Sequence, residues 1–333
     1  MDALTQNGIN LVVAVQSLGM WLEAPMKFFS FLGTEYFFLL ILPLLYWSID
    51  ANLGIRIGFI LITSNYLNGI FKLLFAAPRP YWVSDRVIPF AAESTFGIPS
   101  GHAQNAVSVL GIIAARVRKP WVWLVALVLM FFIGFSRLYL GVHYVHDVMV
   151  GWLIGGMLLW GFVQFWNPVE AWLKEKTLGT QVLIAFIISI LFIVLGIFSV
   201  GRLDGYTFPE EWRANALRAS DELPAPVSME GSLTSAGTFF GLAAGAAWIV
   251  SQGGYQATGS WEKRALRFIV GLMGILILWR GLGLVFPDNG DALSYLLRYL
   301  RYALVGFWVS AGAPWLFFRF KLANSQMYGI GLI

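Results

Sequence analysis

The sequence predicts an all-α fold: a polytopic membrane bundle of about eight to ten helices. Three observations carry that expectation. Hydrophobic residues fill 58% of the 333 positions, and mean hydropathy is +0.72. Charged residues make up only 12%, against about 25% in ordinary soluble domains. The apolar positions also gather into runs of roughly 16–25 residues, the length a helix needs to cross about 30 Å of hydrocarbon.

Taken in order, residues 8–28 are moderately apolar and carry Gln16, Glu23 and Lys27, which suits an N-terminal helix lying in the membrane interface. A short, strong apolar run covers 34–49, and a longer one covers 52–76 and ends near Lys72. Residues 77–99 are rich in proline and polar residues and read as a loop. Runs at 102–117 and 121–140 are joined by Arg116-Val117-Arg118-Lys119-Pro120, and a Gly- and Trp-rich run follows at 147–166, where Gly151, Gly155 and Gly156 suit close helix packing. Residues 181–200 are the most hydrophobic segment. Residues 201–235, with Pro209, Pro224 and Pro226, form the longest polar stretch, and apolar runs at 236–251, 266–286 and 299–320 complete the chain. We divide it into a catalytic membrane core at 1–170 and a further membrane-helix region at 171–333.

Cysteine is absent, so disulfides and cysteine-based metal sites are excluded. The net charge of +4 fits basic cytoplasmic loops better than nucleic-acid binding. The first residues lack a basic region, so no cleavable signal peptide is expected. Arg116, Arg118 and Lys119 lie in one short loop, Lys174 and Lys176 in another, and Lys263, Arg264 and Arg267 in a third. Counting spans puts all three on one side, which the positive-inside rule makes cytoplasmic. Residues 77–99, 137–146 and 201–235 then face the extracytoplasmic side.

Polar chemistry collects in those outward stretches. Lys72 is followed by Arg79-Pro80, then by Pro99-Ser100-Gly101-His102, then by Ser136-Arg137 and His143-Tyr144-Val145-His146-Asp147. All three histidines of the chain lie in the last two clusters. Phosphoryl transfer depends on positioning and on neutralising charge over three oxygens. Lys72, Arg79 and Arg137 supply cations, two of them with the guanidinium fork that matches phosphate. Ser100 and Gly101 sit where a helix starts and where backbone closely approaches an anion. His143 and Asp147, four residues apart, share a face if helical, so that Asp147 holds one ring nitrogen while the other attacks phosphorus. His102 is placed to protonate the leaving oxygen.

Each residue alone has a plainer reading. Lys72 and Arg79 fit snorkelling anchors at a helix end equally well. His102 fits a satisfied interfacial ring, and His143, His146 and Asp147 together fit a zinc site, which three nearby cations oppose. His146 is left structural.

In order, the clusters resemble the signature of the type 2 phosphatidic acid phosphatase (PAP2) superfamily: Lys-x6-Arg-Pro, Pro-Ser-Gly-His and Ser-Arg-x5-His-x3-Asp. Lys72…Arg79-Pro80, Pro99-Ser100-Gly101-His102 and Ser136-Arg137…His143…Asp147 match it without departure. The resemblance covers roughly residues 30–166. It implies a helical core with its site at the outer membrane surface and metal-independent hydrolysis with no cofactor. The nucleophile would be His143, assisted by Asp147, with His102 as acid and then base. Lys72, Arg79, Ser100, Gly101 and Arg137 would bind phosphate. The glucose-6-phosphatase branch is similar in continuing the first motif as Arg79-Pro80-Tyr81-Trp82 and in carrying a histidine where His146 stands, but it differs at Asp147.

The expected function is therefore an integral-membrane phosphatase acting on a lipid phosphate, such as a phosphatidate, a sphingoid-base phosphate or a polyprenyl diphosphate. Phosphotransfer, a sugar-phosphate substrate and a non-catalytic lipid or phosphate transporter are the alternatives. An intact His102, His143 and Asp147 argues against mere binding, which needs only the cations. No nucleic-acid partner is expected, and homo-oligomerisation is left open.

Overall fold

The computed structural model describes residues 3–287 and 289–323, all in helices, turns and loops, with no strand among them. The first helix, α1 (Ala3–Gln16), is followed by a tight turn and α2 (Glu23–Phe31). The single helix expected over 8–28 is thus two, bent by 85°. The break has a local cause: Gly19 adopts φ +113°, which side-chain-bearing residues rarely take. Gln16, at the end of α1, is also pinned by donating to the carbonyls of Ile88 and Tyr139 and accepting from the Ile88 N–H.

Next come α3 (Glu35–Leu44), continued by a π turn to Ile49, then α4 (Ala51–Phe75), α5 (Pro80–Val83), α6 (Gly101–Asn105), a second π turn and α7 (Gly111–Val117). They are followed by α8 (Pro120–Tyr139), α9 (Val145–Lys174), α10 (Leu178–Gly201), α11 (Glu210–Ala216), α12 (Glu230–Ser251) and α13 (Trp261–Leu276). The last described helices are α14 (Leu282–Val285), α15 (Ala292–Phe307) and α16 (Ala313–Arg319). Among the described residues, six stretches are long and apolar enough to cross a membrane: 51–83, 120–139, 145–174, 178–201, 230–251 and 261–285; the bent α1–α2 pair would make a seventh. The expected runs at 34–49, 102–117 and 299–320 are also helical but fall outside these six. The second of them, residues 101–117, rises only about 25 Å at 1.5 Å per residue.

The described chain forms two compact units from interleaved segments. One takes residues up to 38, 67–163 and 197–229; the other takes 39–66, 164–196 and the residues from 230 onward. The sequence division at 170/171 falls just after the motif-bearing stretch, roughly 30–166, whereas compactness follows this interleaving. In the second unit, α12 and α15 approach backbone to backbone: a Cβ on Gly241 would lie 1.9 Å from the Ala303 carbonyl. Trp47 is fully buried there and donates to the Val309 carbonyl at 2.9 Å.

The first unit carries all three motif clusters. Its core includes Leu73, Tyr81, Trp82, Phe96, Tyr139 and Val142. Glycines bring α9 onto the start of α6. A Cβ on Gly151 would sit 2.6 Å from the Ser100 carbonyl, and one on Gly155 the same distance from that of Gln104. A Cβ on Gly156, the third glycine of the run, would meet nothing within 4 Å.

This contrast predicts opposite outcomes for two valine substitutions. Gly151→Val should destabilise the protein by about 1–3 kcal/mol, the usual cost of overpacking a tight contact. Gly156→Val should leave thermal unfolding in detergent unchanged. Equal melting temperatures for the two variants would show that the α6–α9 contact is looser than described.

Candidate active site

The site is assembled where helices end. Lys72 lies in the last turn of α4. The chain leaves that helix through Ala76 at φ +46° and Pro78, and Arg79 then precedes α5, which opens on Pro80. Arg137 lies in the last turn of α8. The return to α9 passes through Gly141 at φ +77°, where a Cβ would meet the Ile88 carbonyl at 2.6 Å, so only glycine fits this turn.

His143 and Asp147 meet, but not as two residues on one helical face. His143 lies in the turn before α9, and Asp147 in the first turn reaches back. Asp147 Oδ2 accepts the Tyr144 N–H at 3.0 Å and faces His143 Nδ1 at 3.1 Å. This is the acidic half of a capping box, here used to orient an imidazole. The other oxygen, Oδ1, lies 3.2 Å from Nε2 of His146, whose ring stacks on Tyr144. Gly97 sits close by: a Cβ there would lie 3.3 Å from Asp147 Oδ2.

Arg79 is fully buried, and its guanidinium is fully engaged. Nε donates to the Thr95 carbonyl (2.6 Å), Nη1 to the Val142 carbonyl (2.9 Å), and Nη2 to Thr95 Oγ1 (3.1 Å) and the Phe96 carbonyl (3.0 Å). The fifth N–H of the group faces His143 Nε2 at 3.2 Å. With Nδ1–H directed at Asp147, Nε2 keeps its lone pair and accepts from Arg79. Burial depresses the His143 pKa well below the usual histidine value, and the charges of Arg79, Arg137 and Lys72 push it the same way. The imidazole is therefore held neutral, the form that a nucleophile needs.

Arg137, 2% exposed, donates to Ser30 Oγ and to Glu93 Oε1, and its Nε has no hydrogen-bond partner among the described residues. Lys72 Nζ donates to Thr95 Oγ1 at 2.7 Å. Ser100 is fully buried, caps α6 by accepting from the Ala103 N–H, and donates its own N–H to the Asp147 carbonyl at 3.0 Å. Gly101 packs on Asn68, whose amide donates to the Pro99 carbonyl. His102 is half-buried beside Gly33; burial, with the charges of Arg137, Lys72 and Arg79, holds its pKa well below the usual histidine value against the opposing pull of Glu93.

Lys72, Arg79, Arg137, His143 and Asp147 are thus joined through shared partners, and Ser100 is tied to them through Asp147. His102 makes no hydrogen bond to them among the described residues. The motif reading missed Glu93, Thr95 and Ser30. Burial alone would raise the Glu93 pKa, but Arg79 and Arg137 overcome it and hold this carboxyl well below the usual range. The one hint in the sequence was an acidic residue in a loop already flanked by motif cations. The 201–235 stretch also contributes, since Phe208 and Trp212 pack on Trp82, and Asn215 donates to the Trp82 carbonyl.

The chain is similar in sequence to known proteins. Residues 53–170 match the model of the PAP2 superfamily, and residues 233–325 match that of the transmembrane extension of PAP2 superfamily phosphatases. Phosphatidylglycerophosphatase B of Bacillus subtilis is 32% identical over 155 residues, 41% of this chain and 72% of that protein. Mouse sphingosine-1-phosphate phosphatase 2 is 29% identical over 151 residues, 44% of this chain and 43% of its own length. Glucose-6-phosphatase 3 is 27% identical in its human form over 185 residues (48% and 53% of the two chains), and 25% identical in its mouse form over 346 residues, 95% of each. The chain spans about half the length of the human glucose-6-phosphatase 3 and of the sphingosine-1-phosphate phosphatase that it matches. The ordered motifs and the family match agree: this integral membrane protein belongs to the PAP2 superfamily.

Proposed function

We propose that the chain is a membrane phosphatase that hydrolyses a lipid phosphate through a phosphohistidine on His143. The observation that carries this reading is the buried imidazole clamped between Asp147 and Arg79, which leaves a neutral Nε2 with its lone pair.

In the first step the bond from Nε2 to phosphorus forms as the bond from phosphorus to the alcohol oxygen breaks. Asp147 stabilises the positive charge that develops on the ring, as an orienting carboxylate does in a triad. His102, held below the usual histidine pKa by burial and the cations beside it, takes up a proton once the phosphate dianion offsets those cations, and passes it to the leaving oxygen. In the second step His102 takes a proton from water, the water oxygen attacks phosphorus, the nitrogen–phosphorus bond breaks, and inorganic phosphate leaves. The open Nε of Arg137, the ammonium of Lys72 and the helix start at Ser100–Gly101 support the phosphoryl oxygens. Arg79 sits 3.2 Å from the attacking nitrogen and meets an oxygen of the group transferred there.

A lipid substrate is supported by the relatives named for sphingosine 1-phosphate and phosphatidylglycerophosphate. It is also supported by an apolar groove of about 380 Å³ between α8 and α9, lined by Phe131, Phe135, Leu138, Val148, Met149 and Trp152. Leu138 and Val148 directly follow Arg137 and Asp147 in the chain. The second reading, a sugar phosphate, is favoured by the alignment with mouse glucose-6-phosphatase 3 over 95% of both chains. Purified protein assayed in EDTA on a panel of phosphatidate, sphingoid-base phosphate, polyprenyl diphosphate and glucose 6-phosphate separates the two. Faster release from the sugar phosphate than from every lipid would replace the lipid reading, and a strict need for added zinc or magnesium would replace the histidine mechanism.

The phosphohistidine can be trapped. Acid-labile label from a phosphate-labelled substrate should accumulate on the wild type after rapid quenching and vanish in His143→Ala; retention of the label in that variant would move the nucleophile elsewhere. The protonation state of the ring is open to a separate measurement. In ring-15N spectra, simplified by the three histidines of the chain, His143 should stay neutral and protonated on Nδ1 down to well below pH 6.5, because its folded pKa is depressed. A titration at or above pH 6.5 would contradict the clamp.

Sidedness completes the reading. We place the site on the extracytoplasmic face, opposite Arg118 and Lys119. The 20 residues of α8 separate those cations from Arg137 by about 30 Å, the thickness of a bilayer core. With no native cysteine as background, single cysteines at the exposed positions Asp85 and Lys119 report the faces. An impermeant thiol reagent on intact cells should label the first and spare the second, and the reverse pattern would put the site in the cytoplasm.

A further inference from the structure

Glu93 has no part in the chemistry above, yet it holds the place of an anion. Its Oε1 accepts from Arg137 Nη2, and its Oε2 lies 3.7 Å from Arg79 Nη2, so one carboxylate spans both guanidinium groups. A phosphate dianion offers the same two-oxygen edge, one oxygen to the Arg137 fork and the other to the charge of Arg79.

Glu93 is the most exposed member of this group. Arg79 and Arg137 are 0% and 2% exposed, whereas the Glu93 side chain is 25% exposed. Its backbone is fixed independently: the Glu93 N–H donates to the Tyr81 hydroxyl, which donates to the Glu93 carbonyl, both at 3.1 Å. Two residues on, Thr95 takes Arg79 and Lys72 through its carbonyl and hydroxyl oxygens. The strap that organises the cations therefore stays in place when the Glu93 side chain swings aside. Arg137 would keep Ser30 and gain phosphate oxygens at Nη2 and at its unpartnered Nε.

We propose that Glu93 is a positioning residue that competes with phosphate for Arg137, aligning the guanidinium before substrate binds and loosening the site's grip on inorganic phosphate after turnover. The proposal rests on the phosphatase reading. The charge balance supports it: an ionised Glu93 lowers by one unit the net positive charge that this cluster of cations presents to a phosphate dianion. An ionised carboxylate is required, and Arg79 and Arg137 keep it so.

The experiment is calorimetric titration of inorganic phosphate into the detergent-solubilised full chain, with steady-state kinetics in parallel. Glu93→Gln keeps an oxygen to accept from Arg137 but removes the charge. It should bind phosphate about 10-fold more tightly, the direction Coulomb's law gives for deleting a neighbouring negative charge, with KM and kcat both lowered. A purely structural role would weaken phosphate binding and raise KM. Unchanged or weaker phosphate affinity in folded Glu93→Gln overturns the proposal while leaving the phosphatase reading intact. Absence of phosphate release by the wild type from every substrate of the panel overturns the phosphatase reading and the proposal with it. If Glu93→Gln does not elute as a folded species, Glu93→Asp decides: drawing the charge back by one methylene should tighten phosphate binding about 3-fold, and an unchanged affinity overturns the proposal.

Discussion

A guanidinium sealed away from water has to find an acceptor for each of its five N–H groups, because every unpaired one carries the desolvation penalty in full. Arg79 solves this with the carbonyls of Thr95, Phe96 and Val142, the hydroxyl of Thr95 and the ring of His143. Those acceptors lie on two segments that are distant in sequence, the strap before α6 and the turn before α9. The need to satisfy one cation thereby fixes the strap against the turn. The strap then holds Lys72 through Thr95 and Arg137 through Glu93. The turn presents His143 to Asp147. Arg79 is thus as much a structural node as a charge, and its positive field acts directly on the His143 ring.

The second constraint is the spacing between α6 and α9. The Asp147 carbonyl accepts the Ser100 N–H, so the start of α6 and the residue that faces His143 share one backbone hydrogen bond. That bond forms only if the two helices approach at the distance that Gly151 and Gly155 allow. Helix packing and active-site geometry are the same quantity here, read at two places.

Much of this was legible in the sequence because the motif residues are chemically rare in this chain. With three histidines and 12% charge, an ordered set of Lys72, Arg79, His102, Arg137 and His143 stands out from its apolar background. Gly151 and Gly155 were legible for the same reason, as small residues in a run of large ones. What stayed hidden depends on where backbones turn. Nothing in its spacing distinguishes Glu93 from Asp85 in the same loop, and only the folded strap carries Glu93 to Arg137. The break at Gly19 was hidden because a glycine in an apolar run is tolerated in a helix as often as it ends one; Gln16, bound to Ile88 and Tyr139, decides the matter through contacts far along the chain. The way His143 reaches Asp147 was hidden too, since a spacing of four residues fits a helical face and a helix cap alike.

Burying several ions together is costly, and the cost sets what kind of site this is. Removing a carboxylate or guanidinium from water costs several kcal/mol even after relaxation, and pairing repays it only when geometry and hydrogen bonds are good. Arg79 meets that condition with carbonyl dipoles and needs no carboxylate at its forks. Arg137 does not: with Ser30 as its other acceptor and Nε unpartnered among the described residues, it depends on Glu93. Of the two arginines, Arg79 is therefore the one whose place is set by the fold, and Arg137 the one whose bonds are open to exchange. In the mechanism we propose, the two would serve a phosphoryl group differently, Arg79 as a fixed charge beside His143 and Arg137 as an adaptable fork for the oxygens.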